Sequence, residues 1–195
     1  LLRRERIDVA FTSQVNYVSL LAPAGKWTGA RTAVHLGLVY DFPSPLFRAG
    51  MRRMDLGIAP SAHTADGWRG RDWPARSLRV IPNGVDTTVF CPGDGRSAAR
   101  GRLGLSPAAA IVAYVGRLHE DKGVFTLLRA FARHRHAGGG GVLLFVGQAA
   151  NGEVEQLRAL AAAERLPDDG WQVRPATPHP EDVYRAADLV VTPSQ

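Results

Sequence analysis

The chain has 195 residues, 45% of them hydrophobic, and its 24 Lys and Arg against 18 Asp and Glu give a formal net charge of +6. This composition excludes a disordered chain, and the single cysteine, Cys91, excludes an internal disulfide framework and is typical of a reducing compartment. No apolar run approaches the ~20 residues that span a bilayer. We therefore expect a cytoplasmic globular protein. The basic charge leaves phosphorylated substrates and peripheral contact with the inner face of a membrane open.

Strands and helices alternate along the first part of the chain. Predicted strands lie at residues 7–12, 32–38, 56–60 and 78–82, and predicted helices at 13–21, at 45–54 and after residue 61. Ser13 and Ser61 are suited to cap the first and third of these helices. A Pro- and Gly-containing loop is expected at 22–29, and Asn83-Gly84 predicts a turn after the fourth strand.

A second alternating series follows a stretch rich in Pro, Gly and Asp at residues 86–96, which predicts a linker. Predicted helices lie at 98–103, 124–136, 153–165 and 181–187, and predicted strands at 111–115, 142–146, 171–174 and 189–192. Strands separated by helices indicate βαβ units and parallel sheets. We therefore expect two α/β domains, at residues 1–90 and 91–195, with a cleft between them.

An anion site is predicted where the strand at 111–115 ends. Gly116 and Arg117 follow this strand directly, and Lys122 and Gly123 open the next helix, whose N-terminal N–H groups attract negative charge. Only two of the chain's 24 cations are lysines, so a lysine here is not the default choice. The planar fork of an arginine together with the point charge of a lysine suits a diphosphate.

Other interpretations of this segment stay open. Arg117 and Lys122 could instead form surface ion pairs with Glu120 and Asp121, although exposed pairs contribute little stability. Asp121 is also suited to cap the helix that Lys122 begins.

Neither a metal site nor a nucleic-acid site is expected. His134 and His136 are two residues apart on a predicted helix, so they point to different faces, and the other histidines stand alone. No Lys- and Arg-rich run is interleaved with aromatic residues, as a nucleic-acid surface would require.

The ordered set of motifs resembles the retaining glycosyltransferases of family 4. The matching segments follow the family's order and rough spacing and lie at residues 80–86, 115–117, 122–123, 144–147 and 184–194. Residues 1–79 resemble, less specifically, the later half of the family's acceptor domain. The resemblance implies an α/β fold of the GT-B type, with two Rossmann-like parallel-sheet domains that are both incomplete in this chain. Residues 1–90 would then be the acceptor-side part and residues 91–195 the nucleotide-sugar-binding part.

The resemblance also implies an activity and a set of site residues. Such enzymes move a sugar from a nucleotide donor to an acceptor hydroxyl, with retention of configuration and without a metal or another cofactor. By resemblance, Arg117 and Lys122 are the catalytic residues that stabilise the departing diphosphate. The remaining site residues implied by the family are Gly116, Gly147, Arg174 and Ala176 around the nucleotide and His35 facing the donor sugar. Ala176 stands where the family usually has a glycine. His35 is equally open to interpretation as an ordinary strand-end histidine.

The implied partners are a nucleotide sugar and an acceptor that the sequence does not identify. The basic, aromatic-containing residues 40–53 would suit a lipid-linked or polyanionic acceptor such as a polysaccharide. Two other functions stay open on the same fold: a non-catalytic relative that binds a nucleotide or nucleotide sugar, and a sugar-nucleotide epimerase.

The resemblance predicts that the 195-residue chain alone transfers little or no sugar. The family carries two glutamates that contact the donor shortly after the position where this sequence stops, and its glycine-rich acceptor loop has no counterpart here. We therefore expect the chain to behave as a fragment of a longer enzyme. A transfer assay with radiolabelled nucleotide sugar measures this, and robust turnover would contradict it.

Overall fold

A computed structural model of the chain describes residues 2–39, 41, 44–71, 77–91, 93, 95–150 and 152–194. The chain divides into two compact units, Leu1–Val85 and Asp86–Gln195. The division falls five residues before the boundary predicted from the sequence, because the expected linker begins with residues that pack onto the second unit. The Arg185 guanidinium donates a hydrogen bond to the Val89 carbonyl at 2.5 Å, and the ring centroid of Phe90 lies 5.9 Å from that of Tyr184.

The first unit is a four-stranded parallel sheet whose helices pack on one face. Its strands lie side by side in chain order: β1 (Val9–Thr12), β2 (Arg31–His35), β3 (Leu56–Ala59) and β4 (Leu78–Val80). Its helices are α1 (Val18–Thr28), α2 (Pro45–Met51) and α3 (Ala62–Arg69). The core between them centres on Trp68, Val34 and Leu36, which are fully buried. On the opposite face of the sheet Phe11 is exposed.

The first helix differs most from its predicted bounds. Ser13 does not begin it, because the Thr12 hydroxyl accepts a hydrogen bond from the Gln14 N–H at 3.0 Å and holds a local turn there. The helix instead begins at Val18 and continues through Pro23, in the segment predicted as a loop. The cap predicted for α3 is confirmed, since the Thr64 N–H donates to the Ser61 hydroxyl at 3.1 Å.

The second unit is also a four-stranded parallel sheet, but its strand order is not the chain order. Its strands are β5 (Ile111–Val115), β6 (Val142–Val146), β7 (Trp171–Arg174) and β8 (Leu189–Val190), arranged β7-β6-β5-β8. Its helices are α4 (Arg96–Arg102), α5 (Val124–His136), α6 (Glu153–Ala163) and α7 (Pro180–Ala186). Helices α5 and α6 cover one face and α4 and α7 the other. The expected Rossmann-like, parallel-sheet architecture is therefore confirmed in this unit.

This strand order fixes where a ligand can bind. After β5 the chain builds the sheet outward through β6 and β7, and it then returns to place β8 on the other side of β5. In open α/β sheets, the connections leave in opposite directions at such a point and open a crevice at the carboxyl ends of the strands. The crevice of this unit therefore lies where β5 and β8 end.

Two glycines let the backbone ladder continue past the carboxyl ends of β5 and β6. The Gly116 N–H donates to the Val146 carbonyl at 3.0 Å, and the Gly147 N–H donates to the Arg174 carbonyl at 3.1 Å. A Cβ atom added at Gly147 would lie 1.7 Å from the carbonyl oxygen of Gly116. Only glycine at position 147 allows the two backbones to approach this closely.

Arginines of α4 connect this helix to α7 on the second face of the sheet. The guanidinium of Arg102 donates two hydrogen bonds to Asp182 in α7, one of them 2.8 Å long. Arg100 is buried and donates to the Ala186 carbonyl at 3.0 Å and to the Asp188 carboxylate at 2.7 Å. These arginines therefore hold α4 against α7, Arg100 from a buried position and Arg102 from an exposed one. Among the described residues, no helix has both the length and the apolar character needed to cross a membrane.

Replacing Gly147 by alanine is expected to destabilise the second unit by about 3 kcal/mol or more, because the new methyl group would overlap the Gly116 carbonyl. Urea denaturation measures the difference. Gly101 is the matched control: it lies inside α4 with open space where a Cβ would stand, so Gly101→Ala should stabilise by about 0.5–1 kcal/mol. Equal destabilisation by both variants would contradict the assigned backbone contact.

Replacing Asp182 by asparagine is expected to lower stability by about 1.5–3 kcal/mol at neutral pH, since charged hydrogen bonds to Arg102 are lost. Those bonds hold the pKa of Asp182 below its ordinary value. The stabilisation is therefore present above the unfolded-state pKa of about 3.9 and is lost as the pH falls through the lower folded-state value. Denaturation at neutral and acidic pH should show the difference between wild type and variant shrinking in acid. Glu155→Gln, in an exposed pair, should change nothing measurable at either pH.

Candidate functional site

The carboxyl end of β5 holds Arg117 between two anchored neighbours. The Tyr114 hydroxyl donates a hydrogen bond to the Arg117 carbonyl at 2.7 Å. The next residue, Leu118, is buried, and its N–H donates to the Gln148 carbonyl at 2.8 Å. Burial raises the pKa of Tyr114, so its hydroxyl stays a neutral donor. The backbone of Arg117 is thus fixed, while its guanidinium is exposed at the edge of the sheet.

Lys122 closes a short 3-10 helix, Glu120–Lys122, that precedes α5. Gly123 follows in the left-handed conformation, with φ of 68°, and its N–H donates to the Glu120 carbonyl at 2.8 Å. This glycine separates the turn from the helix, so α5 begins at Val124 and not at Lys122. The prediction that Asp121 caps α5 is therefore wrong.

The start of α5 is open to an anion. Among the described residues, no side chain caps this helix, and its first turn contains no acidic residue. The N–H groups of that turn therefore lie at the positive end of the helix dipole without a side-chain acceptor. Helix α6 differs, because the carboxylate of its buried first residue, Glu153, accepts a hydrogen bond from the Ala150 N–H at 2.9 Å. The first turn of α6 thus contains acids of its own, Glu153 and Glu155.

The same helix start lies at the crevice that the strand order predicts. A Cβ atom on Gly123 would come within 2.4 Å of the carbonyl oxygen of Pro193, in the segment that follows β8. The ends of β5 and β8 and the first turn of α5 therefore meet at one place. Arg117 and Lys122 both belong to the loop that connects β5 to this turn.

Arg117 also forms the ion pair that the sequence left open as an alternative. Its guanidinium lies 3.2 Å from the Asp121 carboxylate, and both side chains are exposed. A hydrogen bond from His119, and then the charge of Arg117, lower the pKa of Asp121, so this carboxylate is charged at neutral pH. An exposed pair of this kind contributes little to stability and can be exchanged for a phosphate. Lys122 is half-buried and has no carboxylate within 4.0 Å in the described part of the chain.

A pocket of about 570 Å³ lies beside the carboxyl ends of β6 and β7. Three of the predicted nucleotide contacts, Gly147, Arg174 and Ala176, line it together with Gln148 and Arg158. The guanidinium of Arg174 is held elsewhere, since it donates to the Leu103 carbonyl and to the Gln172 side chain. Arg174 can therefore contribute little more than backbone and side-chain stem to this pocket.

Sequence reasoning missed two residues of this region. Tyr114 lies within an apolar strand, where an aromatic residue predicts only core packing. Arg158 lies on α6, where an arginine in an Arg-rich chain predicts only a solvated side chain. A tyrosine within an otherwise apolar strand could have been identified as a buried hydroxyl that needs a partner, but nothing in the sequence distinguishes Arg158.

His35, the predicted site residue of the first unit, is half-buried at the carboxyl end of β2. Its contact with a donor sugar stays a prediction. No group of three or more His, Cys, Asp or Glu side chains that could hold a metal ion is present among the described residues. The expectation of a metal-free site likewise stays a prediction.

Comparison with known sequences shows the relationship of the second unit. The sequence model of the family "Glycosyl transferases group 1" matches residues 96–195. A D-inositol 3-phosphate glycosyltransferase of Segniliparus rotundus is 43% identical over 122 residues, which cover 61% of this chain and 27% of that protein. D-inositol 3-phosphate glycosyltransferase 1 of Catenulispora acidiphila is 43% identical over 134 residues, with 63% and 31% covered. The chain thus spans about a third or less of the length of these curated relatives.

Solved structures show the fold of both units. The Anabaena protein Alr3699/HepE, in complex with UDP, superposes with a TM-score of 0.82 at 22% identity and covers 96% of this chain and 53% of its own. Sucrose-phosphate synthase of Thermosynechococcus elongatus gives a TM-score of 0.75 at 24% identity, with 96% and 50% covered. The expected GT-B fold class is therefore confirmed.

The family match covers more than half of the chain, includes the strand-end loop that carries both predicted cations, and agrees with the resemblance drawn from the motifs. The chain belongs to the glycosyl transferases of group 1.

Proposed function

We propose that this protein transfers a sugar from a nucleotide-sugar donor to an acceptor hydroxyl, with retention at the anomeric carbon and without a metal. One observation carries the proposal: Arg117 and Lys122 lie in the loop that leads from β5 to the start of α5, a helix without a side-chain cap, at the switch point of the second sheet. The family membership supports the reaction class. Retention and metal independence rest on the resemblance alone.

The chemistry of the reaction explains why two cations are needed at this place. As the bond between the sugar and the diphosphate breaks, negative charge grows on the leaving phosphate. A fixed guanidinium, an ammonium and the open N–H groups of α5 stabilise that charge more in the transition state than in the ground state. They supply the positive charge that a metal ion would otherwise bring, and the fixed backbone of Arg117 limits the reorganisation that this would cost.

The pocket beside β6 and β7 is proposed to hold the nucleoside. Its volume of about 570 Å³ is in the range of small-molecule sites, and Gly147 lets a ligand approach the strand-end backbone. The Anabaena HepE structure, which shares the fold, contains UDP. We therefore propose uridine diphosphate as the first nucleotide to test. The relatives are D-inositol 3-phosphate glycosyltransferases, so we propose D-inositol 3-phosphate as the first acceptor to assay.

The proposal predicts that Arg117→Ala and Lys122→Ala each weaken UDP binding about 10- to 150-fold. Each variant removes charge-assisted hydrogen bonds worth about 1.5–3 kcal/mol. Asp121→Asn should tighten binding, because it removes the carboxylate that competes for Arg117. Isothermal titration calorimetry of the 195-residue chain measures these affinities, with GDP and ADP as further ligands.

Arg129→Ala is the matched control, since Arg129 is an exposed arginine of α5 that pairs with Glu164 at 3.9 Å. It should bind UDP as the wild type does, and EDTA should leave every affinity unchanged. If Arg117→Ala and Lys122→Ala bind like Arg129→Ala, or if none of the three nucleotides binds, the assigned diphosphate site is wrong. A requirement for magnesium would overturn the metal-free part of the proposal only.

A further inference from the structure

Helix α1 carries an apolar stripe on the side that faces away from the core. Its buried residues, Val18, Ala22 and Gly25, face the sheet. Leu20 and Trp27 lie seven residues apart on the opposite side and are 69% and 72% exposed. A surface helix ordinarily has polar residues on its outer side, so α1 is apolar on both sides.

Helix α2 adds a further exposed apolar side chain next to α1. A Cβ atom on Gly50 would lie 2.8 Å from the Cα atom of Ser19, which shows that α2 lies directly against the start of α1. Leu46 is four residues before Gly50 and therefore on the same side of α2, toward α1. It is 75% exposed. We refer to Leu20, Trp27 and Leu46, together with the exposed Tyr17 that precedes α1, as the α1–α2 patch.

The charged residues within α1 and α2 are all basic. Neither helix contains an Asp or Glu, whereas Lys26 and Arg48 lie within them and Arg52 and Arg53 follow directly. The guanidinium of Arg3 lies 4.9 Å from the centre of the Trp27 ring.

The excess of positive charge is confined to the unit that carries the patch. Residues 1–85 contain 12 Lys and Arg against 6 Asp and Glu, whereas residues 86–195 contain 12 of each. The net charge of +6 therefore comes entirely from the first unit. Charge complementarity thus favours an anionic partner for this unit.

We propose that the α1–α2 patch docks onto the surface of an anionic phospholipid bilayer. Tryptophan, tyrosine and leucine side chains enter the boundary between headgroups and acyl chains, and lysine and arginine side chains pair with lipid phosphates. A protein partner is less favoured, because neither α1 nor α2 has a carboxylate that could pair with a basic residue of such a partner. This proposal does not depend on the donor site of the second unit.

The test is flotation of the 195-residue chain with lipid vesicles. Vesicles of equal parts phosphatidylglycerol and phosphatidylcholine should bind the chain, and vesicles of phosphatidylcholine alone should bind it much more weakly. Raising the salt concentration should release the protein, since exposed charges are screened. Trp27→Ser and Leu20→Ser should each weaken binding about tenfold. Lys26→Gln should weaken it about fivefold.

Phe11→Ser is the matched control. Phe11 is 58% exposed on β1, in the same unit but outside the α1–α2 patch, so its replacement should leave vesicle binding unchanged. Thermal unfolding and UDP affinity of the patch variants should equal those of the wild type, which separates this proposal from the donor site.

Three outcomes would overturn the proposal. The first is equal binding to both kinds of vesicle, the second is wild-type binding by Trp27→Ser and Leu20→Ser, and the third is an equal loss in Phe11→Ser. A dimer in analytical ultracentrifugation that Trp27→Ser abolishes would instead assign the patch to contact with a second copy.

Discussion

The close approach of two backbones at the ends of β5 and β6 is the constraint on which the candidate site depends. Gly116 and Gly147 allow the chain to continue its ladder one step beyond the strands. Because that step is fixed, the Tyr114 hydroxyl reaches the Arg117 carbonyl and the next side chain turns into the core. The result is an exposed guanidinium on an immobilised backbone. An electrostatic site of this kind needs little reorganisation when its ligand arrives.

The three helices that follow strands of this sheet, α5, α6 and α7, differ in what their N-termini offer an anion. The first turn of α6 begins with a buried glutamate, and that of α7 contains Glu181 and Asp182. Helix α5 has no acid in its first turn and begins beside Pro193, where the order of the strands reverses. Topology and local sequence therefore favour the same helix start. Asp121 pairs with Arg117 while no ligand is bound. Because this exposed pair contributes little to stability, the guanidinium can exchange the carboxylate for a phosphate.

The positions of the strands could be predicted from the sequence, because short runs of mainly apolar residues between turn signals are typical of strands in parallel sheets. The predicted first residues of two helices were wrong, because a local hydrogen bond or a glycine conformation determines where each helix begins. The Thr12–Gln14 turn displaces the start of α1, and the left-handed Gly123 displaces the start of α5. Side-chain direction was beyond reach for a different reason. Arg174 is drawn away from the pocket by the Leu103 carbonyl, 71 residues earlier in the chain, and no local pattern records such a contact.

Net charge and local charge have separate origins in this chain. The second unit is neutral, with equal numbers of acidic and basic residues, yet it presents Arg117, Lys122 and an open helix start at one edge of its sheet. An attraction for diphosphate there arises from the positions of Arg117 and Lys122. It falls off over a few ångströms, because the carboxylates of the same unit cancel the positive charge at longer range. The first unit holds the whole excess of positive charge, and an excess of that kind acts at the distance of a Debye length on any extended anionic surface. A sharply placed pair of cations is suited to one small ligand, whereas a diffuse excess beside exposed Trp27 and Leu20 is suited to a surface. The cations of the two units are therefore suited to two different physical requirements, one by their placement and the other by their number.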